Sequence, residues 1–440
     1  MSEKPIEGNG VYIALCADLI HPGHLNVVKH ATTLGELTVG VISDKAMACF
    51  HRLPLLTWEQ RKAIVEGLKG VSNVIMQDSL DYERNLRELK PRYVVHGDDW
   101  VEGPQRRIRD RVIDILAEWG GELVEIPYVQ GISSAALDQE IRLNGTTPSS
   151  RMRRFRRLLS VKSPVKLIEA HSGLTAVLVE NCQIEDDNGL KEFDGVWLSS
   201  LTDSTAKGKP DIEYVDKTSR LATLQDILES TTKPIVFDGD SGGVPEHFVF
   251  TVRSLERLGI SAVVIEDKVG LKKNSLLDSY TTEVVQDSIE NFCYKIREGR
   301  AAKVTPEFMI VARIESLNLG KGIEDAYRRA DAYLAAGADS VMIHSKSKDG
   351  KDVLEFSRKF RKQYSDVPLV VVPSTYTTVY DYELSEAGAN VIIYANHLLR
   401  SAYPAMLKTA LAILRNGRTH EIESELMPIK DMIGLIPGGT

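Results

Sequence analysis

The chain has 440 residues, 43% of them hydrophobic and 26% charged, with a formal net charge of -8 at pH 7. That length exceeds one ordinary domain of about 150 residues and fits two, one of them large enough for a barrel of about 250. The balance is that of a soluble globular protein, and it excludes a membrane span, which needs ~18 consecutive apolar residues.

The first nine residues are polar and lack the core of a secretory signal, so a cytoplasmic location is expected, with no membrane partner. Negative net charge disfavours nonspecific nucleic-acid binding, and no nucleic-acid partner is expected. Cys16, Cys49, Cys182 and Cys293 stand far apart with no C-x-x-C pair, which reads as reduced thiols rather than a zinc site or a disulfide framework.

From residue 11 to about 144, short β-rich runs alternate with amphipathic helices, the pattern of a parallel α/β sheet. Strands are expected over 11–17, 37–43, 71–77, 93–96 and 123–126, and helices over 25–34, 58–68 and 105–119. The first strand leads through a turn into Ile20-His21-Pro22-Gly23-His24 and a helix beginning near His24. Such a junction directs backbone N–H groups and the positive end of a helix dipole outward, which favours phosphate. Gly23 would let a ligand approach the backbone, and His21 and His24 could donate to a triphosphate as pyrophosphate departs. Two histidines at this spacing could otherwise be metal ligands or structural groups, but no third ligand stands nearby.

Residues 144–148 hold a glycine, two threonines and a proline and mark a boundary: 1–145 is one domain, 146–162 a linker and the start of a basic helix, and 163–440 a second domain. Five arginines fall between Arg151 and Arg157. Met152, Phe155, Leu158 and Leu159 recur among them at helical spacing, so a surface helix is favoured over an RNA-binding patch.

Eight further β-rich runs follow, over 175–180, 195–199, 234–240, 261–267, 308–315, 340–344, 369–373 and 391–395, with helices such as 246–258, 322–336 and 353–363 between them. Eight strands with interleaved helices over about 270 residues predict a (β/α)8 barrel. Polar residues gather where the runs end: Trp197 and Ser199, Asp238 and Asp240, Glu266 and Asp267, Arg313 and Glu315, His344. Strand ends of a barrel converge on one mouth, so these groups are expected to share a site. Asp238 and Asp240, alternating on one strand, together with Glu266 form a hard-oxygen cluster suited to Mg²⁺, held directly or through its waters. Arg313 and His344 would serve an anionic substrate.

The His21-Pro22-Gly23-His24 turn, with Val95-His96-Gly97-Asp98-Asp99-Trp100 and Gly131-Ile132-Ser133-Ser134, resembles the HxGH nucleotidyltransferases and in particular the cytidylyltransferases. The resemblance implies a Rossmann-like domain that binds CTP through Gly23, Asp98, Gly131, Ile132, Ser133 and Ser134, with His21 and His24 catalytic. Where that family has an Arg-Thr pair this chain has Tyr128-Val129, so the missing phosphate contact falls to Lys45, Arg52 or Arg61.

Glu266-Asp267-Lys268 followed after five residues by Asn274-Ser275 resembles the signature of phosphoenolpyruvate mutases, in the isocitrate lyase superfamily, as do Glu169-Ala170-His171-Ser172-Gly173, Trp197-Leu198-Ser199-Ser200 and Lys207-Gly208-Lys209-Pro210-Asp211. That likeness implies conversion of phosphoenolpyruvate to phosphonopyruvate. It assigns Asp211 as the catalytic aspartate, Trp197 as a packing surface, and Ser199 with the Ser200 backbone as the enolate-oxygen contact. Asp238, Asp240 and Glu266 would bind or order Mg²⁺, Lys272, Asn274, Ser275 and Arg313 would hold the phosphoryl group, and His344 would sit near the pyruvate end. The stretch after Asp267 would be a mobile gate that excludes water. The lyase branch needs a cysteine where this chain has Lys272-Lys273-Asn274-Ser275, and phosphonopyruvate hydrolases depart at the asparagine.

The fusion resembles the bifunctional mutase–cytidylyltransferases of phosphonate pathways such as fosfomycin biosynthesis. The expected small-molecule partners are phosphoenolpyruvate, CTP and a phosphonate, with 2-hydroxyethylphosphonate ahead of aminoethylphosphonate. A non-catalytic assembly role for the first domain is the alternative from another class. Related barrels associate through a terminal helix, which implies a homodimer or homotetramer.

Overall fold

The computed structural model describes residues 10–50, 53–101, 105–127, 146–186, 189–270, 272 and 284–436. The chain divides into two compact units, Met1–Asn144 with Gln183–Glu192, and Gly145–Cys182 with Phe193–Thr440.

The first unit is built on a parallel sheet of β1 (Gly10–Leu15), β2 (Glu36–Ile42), β3 (Val71–Gln77), β4 (Tyr93–Gly97) and β5 (Glu122–Ile126), in the order β3-β2-β1-β4-β5. The central strand β1 is buried on both faces, as a parallel sheet between helices requires. Val11, Ile13 and Leu15 join one core cluster with Val28 and Ala31 of the helix Pro22–Leu34. Tyr12 and Ala14 join the other, with Leu86 and Trp100. The Tyr12 hydroxyl donates to Gln77 Oε1 at 2.5 Å and accepts from Asn85 Nδ2 at 3.1 Å, so this buried polar group is satisfied.

The second unit is the expected barrel. Eight parallel strands close in chain order: β6 (Val165–Glu169), β9 (Gly195–Leu198), β10 (Ile235–Asp238), β11 (Ala262–Glu266), β14 (Met309–Ile314), β15 (Ser340–Ile343), β16 (Leu369–Val371) and β17 (Val391–Tyr394). The intervening labels belong to two short antiparallel pairs, β7 (Gln183–Asp186) with β8 (Gly189–Glu192), and β12 (Lys268–Val269) with β13 (Val285–Gln286).

The first barrel strand differs from the expected one. The β-rich run 175–180 predicts a strand, yet these residues lie in the helix Gly173–Asn181, and β6 precedes them. The reason is local: Ser172 caps that helix by accepting from Thr175 N, while Thr175 Oγ1 accepts from the Ser172 N–H, a reciprocal box that outweighs β-propensity.

Alternate strand residues fill the barrel interior. Leu167, Val236, Val264, Val311, Val370 and Ile393 line its inner space, whereas Val263, Ile265, Ile310, Ala312 and Ile392 pack outward in the core beneath the helices. Phe155 and Leu159 of the helix Pro148–Val161 line the same inner space, at the end of the barrel away from the polar strand ends. The arginines of that helix serve the barrel: Arg151 is buried and donates to the carbonyls of Leu228 and Thr231, and Arg156 donates to Pro306 O and pairs with Asp339 at 2.8 Å. The stretch read as a linker with a basic helix start is therefore a packed part of the second unit.

Tight helix packing yields a stability prediction. A Cβ on Gly299 would lie 2.3 Å from Cε1 of the fully buried Phe248 on the neighbouring helix. Gly299→Ala should cost about 1–3 kcal/mol through overpacking, which calorimetry should record as a barrel transition lowered by roughly 2–4 °C per kcal/mol.

Candidate functional site

The pleat delivers the barrel site. Extending the inward positions of seven of the eight strands by two residues gives Trp197 and Ser199, Asp238, Glu266, Arg313, Met342 and His344, Val372 and Ser374, and Ala395, and all of these line one cleft. The cleft holds about 570 Å³ counting its open mouth, and Ser200, Asp211, Lys268, Lys272 and Asn396 complete its walls. Asp267 has the opposite parity. It points away from the mouth and is fully buried, accepting from Tyr333 Oη at 2.7 Å, Gln286 Nε2 at 2.9 Å and the Glu315 N–H at 2.9 Å, with Arg329 at 3.1 Å. Burial pushes its carboxyl up to about 7 against the pull of Tyr333 and Arg329. Asp267 thus fastens the β12–β13 pair to the barrel wall and takes no part in the cleft.

The carboxylates are held individually. Asp238 Oδ2 accepts from Ser200 N at 3.1 Å and Ser200 Oγ at 2.8 Å, so the Ser200 N–H assigned to an enolate oxygen is committed to Asp238 here. Burial works against the Asp238 charge, but Lys272 and Arg220 outweigh it and hold the carboxyl down at about 2. Asp240 is not on the strand, as the alternation had implied. It follows Gly239 in the left-handed region at φ 54°, and its Oδ2 accepts from Arg220 Nη1 at 2.8 Å. Gly239 is required there, because a Cβ would meet the Val264 carbonyl oxygen at 2.8 Å. Arg220 lies on the helix Lys217–Ser230, with its guanidinium 4.4 Å over the Phe237 ring; no sequence motif marked it.

Glu266 lies 3.4 Å from Arg313 and 3.1 Å from Lys268. Its carboxyl is raised by burial, with Arg313 and Lys268 opposing. His344 is held down at about 4 by burial and then by Arg313, which keeps it neutral at pH 7. Two buried atoms of the described cleft residues make no hydrogen bond, Trp197 Nε1 and His344 Nδ1, while Glu266 Oε1 is met by the Lys268 ammonium alone, as an ion pair at 3.1 Å. Buried polar groups are ordinarily satisfied, so two orphans around one cleft are the mark of a site built for a polar ligand.

Among the described residues, no three carboxylates or histidines stand as a ready metal-ligand set. Their oxygens converge instead on the Lys272 ammonium, which bonds Asp211 Oδ1 at 2.8 Å and also Asp240 Oδ1 and Ser200 Oγ. Hard oxygens already gathered around one cation, with the Glu266 carboxylate in the same cleft, suit Mg²⁺ by donor chemistry. Asn274 and Ser275 lie outside the described residues. Sequence reasoning also missed Lys268, Met342, Val372, Ser374, Ala395 and Asn396; for Val372, Ser374 and Ala395 the usable signal was the same alternation carried past the strand ends.

In the first unit the helix Pro22–Leu34 starts two residues before the expected point, with His21 as its N-cap. His21 Nδ1 accepts from Gly23 N at 3.1 Å, and His24 Nδ1 accepts from His21 N at 3.4 Å. Those bonds place the proton of each neutral ring on Nε2. The two rings lie 3.9 Å apart. Gly23 makes room for one of them, since a Cβ would fall 2.8 Å from His21 Cε1. Burial lowers the pKa of His21. It lowers that of His24 to about 4, helped by the charge of His21.

Of the proposed substitutes for the missing arginine, Arg61 is excluded as a phosphate ligand. It is fully buried, donating to Cys16 O at 2.5 Å and pairing with Asp44 at 2.6 Å. Lys45 is exposed at the start of the helix Asp44–Phe50, and Asp98 is exposed after β4. Arg52, Tyr128, Val129, Gly131, Ile132, Ser133 and Ser134 lie outside the described residues.

Two measurements check these electrostatics and contacts. Because the folded state holds both rings below the ordinary value of 6.5, protons bind the unfolded chain first as pH falls, and the first unit should lose stability from about 6.5 toward 4. Nitrogen-15 NMR at pH 8 should show both rings with Nε2 protonated and Nδ1 accepting; a midpoint above 6.5 for either would contradict the geometry. Gly239→Ala should displace Asp238 and Asp240 and lower barrel turnover by about 10²-fold or more, while a crystal structure of the variant keeps the eight strands closed.

Residues 155–414 match the family described as phosphoenolpyruvate phosphomutase, and residues 16–136 match the cytidylyltransferase-like family. The phosphoenolpyruvate phosphomutase of Tetrahymena pyriformis is 33% identical over 270 residues, covering 61% of this chain and 85% of that protein. A solved phosphoenolpyruvate phosphomutase from Streptomyces platensis subsp. rosaceus is similar at a TM-score of 0.60 and 36% identity, covering 64% of this chain and 94% of that one. A phosphonopyruvate hydrolase solved with oxalate and Mg²⁺ is similar at a TM-score of 0.57 and 30% identity, covering 65% and 94%. Five inward-facing strand ends on one barrel, behind an HxGH helix start on a parallel sheet, thus find their counterpart: the chain belongs to the phosphoenolpyruvate phosphomutase family and carries a cytidylyltransferase-like unit ahead of its barrel.

Proposed function

We propose that the barrel isomerises phosphoenolpyruvate to phosphonopyruvate and that the first unit transfers CMP from CTP to a phosphonate, with 2-hydroxyethylphosphonate the preferred acceptor in a pathway of the fosfomycin type. The observation that carries the barrel reading is the cleft itself, where cationic Arg313 and Lys272 stand beside the orphaned ring nitrogens of Trp197 and His344. In the isomerisation the bond from phosphorus to the enol oxygen breaks and a bond from phosphorus to the methylene carbon forms, with the enol oxygen ending as a ketone and no net proton change.

Arg313 and Lys272 supply positive charge to the phosphoryl group in flight, and Asn274 and Ser275 join them in this reading. Trp197 packs against the substrate, Ser199 faces its enolate oxygen, and neutral His344 offers its ring nitrogens near the pyruvate end. Asp211 is the catalytic aspartate by resemblance. Bound Mg²⁺ would polarise the pyruvate oxygens, with Asp238, Asp240 and Glu266 as its protein oxygens. Water must be kept out, because a metaphosphate-like species would hydrolyse.

In the first unit a phosphonate oxygen would attack the α-phosphorus of CTP and pyrophosphate would leave. That oxygen is already anionic and needs no strong base. Neutral His21 and His24 donate from Nε2 to the phosphates, beside the helix N-terminus. Lys45, Arg52, Asp98 and the Gly131–Ser134 stretch complete the nucleotide site in this reading.

A homo-oligomer and a cytoplasmic location belong to the same proposal. The helix His397–Asn416 buries none of its residues and exposes Tyr403, Met406, Leu407 and Leu414, which supports assembly through it. Among the described residues no helix is long and apolar enough to cross a membrane.

Phosphorus-31 NMR with phosphonopyruvate should show phosphoenolpyruvate appearing; phosphate with pyruvate would mean a hydrolase. Pyrophosphate release from CTP and Mg²⁺ with each phosphonate tests the first unit, and silence with every acceptor would favour an assembly role. Arg313→Met should lower mutase turnover by about 10²–10³-fold and leave CMP transfer intact, and His21→Ala should do the converse.

A further inference from the structure

Lys272 occupies the centre of the carboxylate group. Its three N–H donors meet three oxygens, Asp211 Oδ1 at 2.8 Å, Asp240 Oδ1 and Ser200 Oγ, which is the full complement an ammonium can satisfy. The side chain is buried, and although burial works against its charge, Asp240, Asp238, Asp211 and Glu266 together hold it above the ordinary lysine range.

The attachments of the same carboxylates differ in kind. Asp240 Oδ2 is tied to Arg220, a residue of a regular helix, and Asp238 to the Ser200 N–H at the start of another. Lys272 instead follows the two-residue strand β12 and Gly270 at φ 85°, and reaches the cluster on a four-carbon arm. Among the oxygens it takes is Asp240 Oδ1, one that the divalent cation would need, and two cations cannot share it.

We propose that Lys272 is a tethered stand-in for the divalent cation. It neutralises Asp240, with Asp211 beside it, and it must leave the Asp240 oxygen when the metal binds. Metal uptake then frees the ammonium for an anionic substrate beside Arg313, which makes metal-first binding the productive order. This rests on the Mg²⁺ reading given above.

The test uses the full chain with Mn²⁺ as probe and no substrate. Free Mn²⁺ is followed by electron paramagnetic resonance in wild type and Lys272→Met. In parallel, acetylation of wild-type Lys272 by an N-hydroxysuccinimide ester is read by peptide mass spectrometry with and without Mn²⁺. The variant should bind Mn²⁺ about tenfold tighter, since no competing cation has to be displaced. Wild-type Lys272 should be protected without metal and react about fivefold faster or more at saturation, with a midpoint that tracks Mn²⁺ binding. Equal Mn²⁺ affinity in the two proteins, or a Lys272 as protected with metal as without it, would overturn the proposal and leave the metal reading standing. Failure of both proteins to bind Mn²⁺ would remove the metal reading and the proposal with it.

Discussion

In a closed ring of parallel strands, side chains alternate between the interior and the surrounding helices, and the ring brings the last inward position of every strand to one mouth. This constraint organises the second unit. Below the mouth the inward positions are Val236, Val264, Val311 and Val370, which fill the barrel; two residues further along they become Asp238, Glu266, Arg313 and Val372. Register across the sheet sets the pairing, with Glu266 beside Arg313 on adjacent strands. One shift in register would bring Asp267 into the cleft and send Glu266 among the helices, so the site depends on the same alternation that packs the core.

Charge in the cleft is close to balanced. Asp211, Asp240, Glu266 and Glu315 meet Lys268, Lys272, Arg220 and Arg313 through contacts between 2.6 and 3.7 Å and the closer Lys272 to Asp240 pair, and Asp238, bonded to Ser200, feels the charges of Lys272, Arg220 and Arg313. Buried charges at this density are tolerable only when each finds a partner. By formal charge the group is one unit negative, so a divalent cation overcompensates it unless an anion enters as well. Metal, polyanionic substrate and the long lysine arm are therefore linked by electrostatics before any chemistry is considered.

The two units use phosphate-directed chemistry in different physical ways. The first relies on a helix start capped by its own His21 ring and on two neutral imidazoles whose Nδ1 atoms are already occupied, leaving Nε2 to donate. The second relies on full charges placed at strand ends. Arg61 shows how residue type alone misleads: it reads as a spare phosphate ligand, yet its guanidinium is spent on the Cys16 carbonyl and Asp44, bracing the segment that leads into the HxGH turn. Trp197, Glu266, Arg313 and His344 were recognisable beforehand because each ends an apolar run. Arg220 was not, because nothing in a helix sequence says which strand end its side chain will reach.

Local order is written in the chain wherever one period repeats or one cap closes. Seven of the eight barrel strands, the five strands of the first sheet and the HxGH helix follow from apolar runs bounded by turns, and the likeness of their motifs to two families reaches the residue level. Tertiary structure decided what depends on contacts between distant segments. It placed Asp240 beyond its strand on a left-handed turn and separated Asp267 from Glu266 by the parity of the pleat, whereas the helix over 175–180 was a local matter of the Ser172 and Thr175 box. It also brought the Lys272 ammonium among oxygens donated from three other places in the sequence. Periodicity is a property of neighbours along the chain, whereas the balance of buried charge exists only once the ring has closed.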